Sequence, residues 1–212
     1  MMVAAAVAVG VVAGYLIGGI PFGLLVGRLA GVGDVREYGS GKIGFTNSLR
    51  TVGLKWALLV VAGDIAKGAA AVLVGRLLFD EPWSAALAGV AAVLGHIYPV
   101  FAGFRGGRGV STAFGAFLAV SPPAALAVVA FSLVVLYLFR YASLMSVVGV
   151  FVGFVVVILL VATHRLAGPY AVFAVFTMLA VEVSHRGNIR RLLAGTEPKL
   201  GQGGARRASG AS

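Results

Sequence analysis

Residues 3–26 read VAAAVAVGVVAGYLIGGIPFGLLV, an apolar run that contains no charged side chain. A membrane-spanning helix needs about 20 predominantly apolar residues, so this run predicts a span. No lysine or arginine precedes it, and it is too long for the hydrophobic region of a cleavable signal peptide. Glycines recur every four residues within it, at Gly10, Gly14 and Gly18. Small residues at that interval predict a groove in which a neighbouring helix packs closely.

The composition of the whole chain supports the same interpretation. Of its 212 residues, 60% are hydrophobic and 11% are charged, and the mean hydropathy is +1.02. A soluble domain carries about 25% charged residues, so the apolar surplus here requires contact with lipid. The net charge of +10 does not indicate a nucleic-acid partner, because the basic residues fall between apolar runs. The absence of cysteine excludes disulfides and thiolate metal sites.

Apolar segments recur along the chain. We recognise seven of them: Val3–Val26, Val52–Phe79, Trp83–Phe101, Gly109–Val120, Pro123–Phe139, Leu144–Val161 and Pro169–Ser184. The fourth is shorter than the roughly 17 residues that a span requires, which leaves a short tilted span or a re-entrant piece. We favour a span, because the charges of the connections then alternate between the two sides of the membrane.

The basic residues orient this topology. The connections after the odd-numbered segments hold most of them: Arg28 to Lys55, Arg105 and Arg108, Arg140, and Arg186 onward. Cytoplasmic loops carry an excess of lysine and arginine, which places the N-terminus outside and the C-terminus in the cytoplasm. We therefore predict an all-α integral membrane protein of the inner membrane with seven transmembrane helices. Residues 1–200 form this domain, and residues 201–212 form a disordered basic tail.

A first polar cluster, GSGKIGFTNSLR, occupies residues 39–50 on the predicted cytoplasmic side. Its glycines, Gly39, Gly41 and Gly44, permit positive φ angles and close approach of the backbone to a ligand. Successive N–H groups ahead of a helix N-terminus bind anions, and two basic side chains add positive charge. The stretch therefore predicts a phosphate-binding loop, with a flexible loop carrying topological charge as the alternative.

Two familiar motifs do not apply to this loop. A membrane segment precedes the glycines, whereas the dinucleotide-binding fingerprint requires a strand there. Lys42 is followed by Ile43, whereas a nucleotide-triphosphate loop requires serine or threonine. We expect Thr46, Asn47 or Ser48 to cap the helix that follows the loop.

A second cluster, GHIYPVFAGFRGGRGVST, occupies residues 95–112. His96 lies near the end of the third apolar segment, where an imidazole is costly unless it faces the interior of the helix bundle. Arg105 and Arg108 stand among glycines, an arrangement that again suits an anion. The alternative is a packed histidine with arginines that extend to the membrane interface. Two loops of the same kind on one face favour phosphate binding.

A third cluster lies at the end of the last apolar segment. Glu182 precedes His185 by three residues and Arg186 by four, so we expect Glu182 to pair with one of them on a helix. His185 and Asn188 share a helical face that can hold a phosphorylated or hydroxylated ligand. Ser143 is close enough in the topology to join this site.

Two opposite charges, Asp64 and Lys67, lie one helical turn apart inside the second apolar segment. Charged residues at such depth indicate either a functional proton relay or a neutralising pair that fixes helix packing. We favour the neutralising pair. No metal-ligand constellation is recognisable, and we expect neither a metal nor another cofactor.

These motifs resemble, in order, those of the acyl-phosphate:glycerol-3-phosphate acyltransferase family of bacterial membranes (the PlsY family). The matching residues are Gly39-Ser40-Gly41, Gly44, Thr46-Asn47 and Arg50; Gly95-His96, Pro99 and Gly106-Gly107 to Thr112; and His185-Arg186, Asn188, Gly195 and Glu197. The resemblance implies transfer of a fatty acyl group from acyl phosphate to the 1-hydroxyl of glycerol 3-phosphate. The products are lysophosphatidate and phosphate, as the first step of phospholipid synthesis. Because acyl phosphate is a mixed anhydride with a good leaving group, we expect direct attack without a covalent acyl-enzyme.

The resemblance also implies roles for individual residues. The residues expected to hold the acyl phosphate are Gly39, Gly41, Lys42, Gly44, Thr46, Asn47 and Arg50. Those expected to hold glycerol 3-phosphate are Arg108, Ser143, His185 and Asn188. Ser40 and His96 are the expected catalytic residues, and the hydroxyl proton passes either to His96 or to the departing phosphate.

The chain departs from the family pattern at two positions, and two other functions are possible alternatives. Lys42 replaces the asparagine that the family's first motif usually carries, and Arg108 replaces a lysine of the second. One alternative is a transporter or flippase for a phosphorylated solute or lipid, although the chain shows no convincing internal repeat. The other is a catalytically weak relative that binds lipid phosphate.

Overall fold

The computed structural model describes residues 2–202, and this part of the chain forms ten α-helices. They are α1 Met2–Gly18, α2 Phe22–Leu29, α3 Phe45–Val52, α4 Leu54–Phe79, α5 Pro82–Ile97, α6 Val110–Val120, α7 Pro122–Phe139, α8 Ala142–Ala162, α9 Pro169–Ser184 and α10 Arg186–Leu193. Two short 3-10 turns, Val35–Glu37 and Val100–Ala102, lie in the connections after α2 and α5. Residues 203–212, most of the predicted basic tail, lie outside the described residues.

All seven predicted apolar segments are helical, but they differ in length. Within the described residues, five segments are long and apolar enough to cross a membrane: Val3–Leu29, Leu54–Phe79, Pro82–Ala102, Pro122–Phe139 and Ala142–Ala162. The fourth and seventh predicted segments are the shorter apolar helices α6, with 11 residues, and α9, with 16 residues. The all-helical membrane architecture agrees with the sequence analysis, whereas seven complete crossings and their orientation stay a prediction.

The first apolar segment is broken into α1 and α2 at Gly19–Pro21. Pro21 occupies the N-cap of α2 and lacks the N–H that would continue the hydrogen-bond ladder. The carbonyl of Ile20, at the break, accepts a hydrogen bond of 2.8 Å from Lys67 Nζ on α4 and one of 3.1 Å from the N–H of Phe22. A buried lysine therefore satisfies a backbone group that the helix break exposes.

The predicted glycine groove of α1 is confirmed, and its partner is α5. A Cβ on Gly10 would overlap Ser84, one on Gly14 would lie 2.8 Å from Ala88 Cα, and one on Gly18 would overlap Ala92. The four-residue spacing on α1 thus matches a four-residue spacing of small residues on α5. Close backbone approach supplies the dispersion contacts on which helix association in lipid depends.

Replacing Gly14 by alanine tests this packing. Because the added methyl would overlap the backbone of Ala88, we expect Gly14→Ala to lower the free energy of unfolding by about 1–3 kcal/mol. Gly168→Ala is the matched control, since a Cβ at Gly168 would meet no atom of the described part of the chain within 4 Å. Denaturation in mixed micelles measures both variants, and equal stabilities would contradict the close α1–α5 contact.

The short helix α6 lies at the centre of the bundle and brings the second glycine loop to its place. A Cβ on Gly68 of α4 would overlap the carbonyl of Thr112, and one on Gly115 would overlap the carbonyl of Ile65. On another side of α6, the rings of Phe117 and Phe173 meet edge to face at 5.1 Å. The loop that ends at α6 is consequently held between α4 and α9.

Candidate active site

The first glycine loop is shaped by one buried amide, that of Asn47. Its Oδ1 accepts a hydrogen bond of 2.9 Å from the N–H of Ser40, and its Nδ2 donates to the carbonyls of Val35 at 2.8 Å and Lys42 at 2.9 Å. Both ends of the amide are therefore engaged within the loop. Asn47, a predicted ligand of the acyl phosphate, binds the protein's own backbone in this structure.

The predicted cap of α3 is wrong. The N-cap is Gly44, and Thr46, Asn47 and Ser48 lie inside the helix. Asn47 cannot cap the helix because its side chain turns back to the loop. Since no side chain among the described residues caps α3, its first N–H groups are available to an anion.

Arg36 joins the first glycine loop to the second. Its guanidinium donates to the carbonyl of Ala102 at 2.8 Å and to that of Arg105 at 3.2 Å. Asp34 holds the same guanidinium in an ion pair of 2.7 Å, and hydrogen bonding to Arg36 lowers the pKa of Asp34. From the sequence, Arg36 served only as evidence for the orientation of the chain in the membrane. Its structural role was missed because its partners lie 66 and 69 residues away, and no local pattern indicates them.

The second glycine loop packs directly on His96. The N–H of Gly107 donates to the carbonyl of His96 at 3.1 Å, and that of Gly106 donates to the carbonyl of Ile97 at 3.2 Å. A Cβ on Gly107 would overlap His96 Nε2, so only glycine permits this approach. The loop therefore carries Arg108 past the imidazole and into α6.

The third cluster is organised by Glu197, which was matched to the family motif but given no role. Its Oε1 accepts hydrogen bonds from Ser143 at 2.7 Å and Asn188 at 2.6 Å, and its Oε2 accepts one from Arg191 at 2.8 Å. Burial raises the pKa of Glu197, but these three donors outweigh it, so the pKa lies below its usual value. One carboxylate thus brings together two of the predicted glycerol-3-phosphate ligands.

Arg108 interacts electrostatically with groups from the first and the third cluster. Burial lowers the pKa of Arg108, Glu197 opposes that shift, and the positive charges of Arg191 and Arg50 reinforce it. The Nε atoms of Arg50 and Arg108 are both buried, and neither has a hydrogen-bond partner among the described residues. His185 is 1% exposed and also lies near Arg108. Half-buried guanidinium groups whose Nε atoms have no hydrogen-bond partner suit a phosphate site.

Within the described residues no hydrogen bond joins Ser40 to His96, the two expected catalytic residues. Glu182 does not pair with His185 or Arg186, so that prediction is wrong. The reason is that α9 ends at Ser184, and His185 turns its Nδ1 to the carbonyl of Val181 at 2.9 Å.

The state of His185 makes folding sensitive to acid. Burial, with the charge of Arg108, lowers the pKa of His185 from 6.5 to about 4. Between these values the unfolded chain binds a proton that the folded chain does not, so stability falls as the pH drops from 6.5 to 4. We expect the unfolding temperature to fall over that range, and to fall less steeply in His185→Gln. Equal slopes for the two proteins would contradict a buried neutral imidazole.

Comparison with known proteins gives one consistent result. The sequence profile of the family described as glycerol-3-phosphate acyltransferase matches residues 8–195. The chain is 43% identical over 204 residues to glycerol-3-phosphate acyltransferase 3 of Dehalococcoides mccartyi, covering 91% of this chain and 94% of the relative. It is 45% identical over 190 residues to the glycerol-3-phosphate acyltransferase of Parasynechococcus marenigrum, covering 89% and 87%.

Solved structures give the same result. The fold is similar to the crystal structure of PlsY (YgiH), an integral membrane glycerol 3-phosphate acyltransferase, in its glycerol 3-phosphate form. The TM-score is 0.83 at 38% identity, covering 92% of this chain and 96% of that one. The lysophosphatidic acid form of the same protein matches with a TM-score of 0.81 at 36% identity.

Proposed function

The chain belongs to the glycerol-3-phosphate acyltransferase family, and from this membership we propose that it acylates the 1-hydroxyl of glycerol 3-phosphate with acyl phosphate as donor. That the protein is a membrane acyltransferase follows from its relatives. The donor, the site residues and the orientation are the proposed part. The observation that supports them is that Arg50 and Arg108, both half-buried, have buried Nε atoms with no hydrogen-bond partner among the described residues.

The reaction suits a site made of positive charge and positioned backbone. The hydroxyl oxygen of glycerol 3-phosphate attacks the carbonyl carbon of the acyl phosphate, and the bond from that carbon to the phosphate oxygen breaks. Phosphate departs with the electron pair, and the hydroxyl proton passes to His96 or to the departing phosphate. Because phosphate is a good leaving group, direct attack without an acyl-enzyme requires mainly alignment of the two substrates and stabilisation of charge.

We assign the first glycine loop and Arg50 to the acyl phosphate. The uncapped N–H groups of α3 and the backbone of residues 39–47 supply donors, and Ser40 orients the reacting end. Lys42 adds a charge where the family's motif usually has asparagine. Asn47 acts by shaping the loop, because its amide is engaged with backbone groups.

We assign Arg108, Ser143, His185 and Asn188 to glycerol 3-phosphate. The shared hydrogen bonds of Ser143 and Asn188 to Glu197 support this grouping. Arg108 offers a planar guanidinium where the family usually has lysine, which favours two-point contact with phosphate. The neutral state expected for His185 leaves one ring nitrogen free to accept a hydrogen bond from a substrate hydroxyl.

We further propose that the site faces the cytoplasm from the inner membrane. The basic residues of the three clusters support this orientation through the excess of lysine and arginine in cytoplasmic loops. The acyl chain of the donor then enters from the bilayer, while glycerol 3-phosphate enters from water.

Phosphate release by the purified protein in lipid nanodiscs tests the proposal, with palmitoyl phosphate given alone or together with glycerol 3-phosphate. We expect release that depends on glycerol 3-phosphate and equals the lysophosphatidate formed. Release without an acylated product, or no release, would contradict the proposal and leave a phosphate-binding relative or a transporter. Lys42→Asn, assayed beside the parent, tests whether the added charge weakens turnover by retaining product phosphate.

A further inference from the structure

Three ionisable side chains form a cluster inside the membrane domain, beside the second glycine loop. Asp64, Lys67 and His96 are 1%, 3% and 2% exposed. Lys67 Nζ lies 2.7 Å from Asp64 Oδ1, which confirms the predicted ion pair. His96 Nδ1 lies 3.3 Å from the same oxygen, a contact that sequence analysis did not anticipate.

Packing alone does not account for this cluster. Removing two charges from water costs several kcal/mol per ion, and apolar residues of similar volume usually fill such a space with equal or greater stability. Ionisable residues inside a membrane domain are therefore functional candidates. The contacts of the three side chains show which function they serve.

Each member of the cluster holds a different element. Lys67 donates to the carbonyl of Ile20 at the break between α1 and α2, and its ammonium lies 5.7 Å from the ring centre of Phe22. Asp64 lies between Lys67 and the imidazole of α5. His96 contacts the second glycine loop in two ways. Its carbonyl accepts a hydrogen bond from the N–H of Gly107, and its Nε2 packs closely against Gly107.

The carboxylate of Asp64 bears on which ring nitrogen of His96 carries the proton. An ionised carboxylate only accepts, so a proton on the facing ring nitrogen, Nδ1, would make this 3.3 Å contact a hydrogen bond, and we expect the proton there. In the neutral ring, Nε2 is then an acceptor, and it lies against Gly107, the residue before Arg108. A carboxylate that fixes the tautomer and orientation of a histidine is a recurrent arrangement at catalytic sites.

We propose that Asp64 is a positioning residue for the acyl transfer: it holds His96 with Nε2 as acceptor toward the attacking hydroxyl of glycerol 3-phosphate, and Lys67 anchors Asp64. The proposal rests on the proposed function. It assigns the buried pair a role in orienting an acceptor, in addition to joining the helices.

The first test is the tautomer of His96 in the unmodified protein. The chain has only three histidines, so ¹⁵N spectra of histidine-labelled protein in nanodiscs are simple, and His96→Asn assigns the signals. We expect the proton of His96 on Nδ1 in the parent, and a changed distribution in Asp64→Asn. A proton on Nε2 in the parent would overturn the proposal, and this measurement needs no variant of Asp64.

The second test separates orientation from stability. We expect Asp64→Asn to lower kcat on the order of 10²-fold with little change in KM, and Asp64→Glu to recover part of the loss. Val60→Ala is the control: it disturbs the core of the same helix one turn away, and we expect its kcat to stay within about threefold of the parent. A folded Asp64→Asn with parental kcat would overturn the proposal.

The outcomes also distinguish this proposal from the proposed function. If the parent makes no lysophosphatidate, the proposed function fails, and the tautomer still decides whether Asp64 orients His96. If Asp64→Asn does not fold, the tautomer of the parent decides the same question. If the parent is active and its His96 carries the proton on Nε2, only the positioning role is lost.

Discussion

Replacing Arg50 by glutamine is expected to lower kcat/KM for the acyl phosphate by about 10²–10³-fold. The guanidinium of Arg50 interacts electrostatically with Arg108, and its buried Nε has no hydrogen-bond partner among the described residues. We therefore expect a bound phosphate to accept the hydrogen bond of this Nε. Arg50→Lys keeps the charge but loses the planar fork, and we expect it to recover only part of the activity. Steady-state phosphate release in nanodiscs measures both variants.

Arg28→Gln is the matched control for this prediction. Arg28 lies on α2, is exposed, and carries the same charge on the same predicted face of the membrane. Its loss changes the net charge equally but removes no buried group, so we expect activity within about twofold of the parent. If Ser40→Ala combined with Arg50→Ala costs less than tenfold, the assignment of the first glycine loop to the acyl phosphate is wrong.

Replacing Glu197 by glutamine is expected to lower the free energy of unfolding by about 2–5 kcal/mol and to raise KM for glycerol 3-phosphate. The new amide presents an NH₂ group to side chains that all donate, namely Ser143, Asn188 and Arg191. Ser143 and Asn188 are buried, so water cannot replace the lost acceptor. Arg191 is 44% exposed and contributes little, because water satisfies it.

Glu182→Gln controls for the loss of one negative charge. Within the described residues the carboxylate of Glu182 forms no hydrogen bond or ion pair, so we expect this variant to unfold like the parent and to keep its KM. Denaturation in mixed micelles and kinetics at saturating acyl phosphate measure the two effects separately. If Glu197→Gln and Glu182→Gln have the same free energy of unfolding and the same KM for glycerol 3-phosphate, then Glu197 does not organise the site.

The class of fold and the close helix contact of α1 were predictable because their signals are local. A membrane helix satisfies its own backbone, so a run such as Val3–Val26 identifies itself without reference to the rest of the chain. The four-residue spacing of Gly10, Gly14 and Gly18 likewise predicts a close helix contact from one segment. The two glycine-rich stretches with basic residues indicated phosphate, since positive φ and backbone donors depend on neighbouring residues.

The two wrong predictions, the cap of α3 and the pairing of Glu182, concern side chains that can form more than one local hydrogen bond. Asn47 is a good cap by residue type, but the loop that folds over it uses both ends of its amide, and Gly44 takes the cap position. Glu182 has the spacing of a helical pair with Arg186, but the helix ends between them at Ser184. Residue type and spacing limit the hydrogen bonds that a side chain can form, and the conformation of the surrounding backbone determines which of them forms.

The linear order of residues therefore determined the membrane environment, the helical segments, the Asp64–Lys67 pair and the three motifs, because each arises within about one helical turn or one loop. Tertiary structure alone decided that Arg36 joins two loops, that Glu197 gathers Ser143 and Asn188, and that Asp64 faces His96. These contacts join residues far apart in the chain. Their energies depend on distance, burial and donor direction in the packed bundle, and no property of a single segment specifies those quantities.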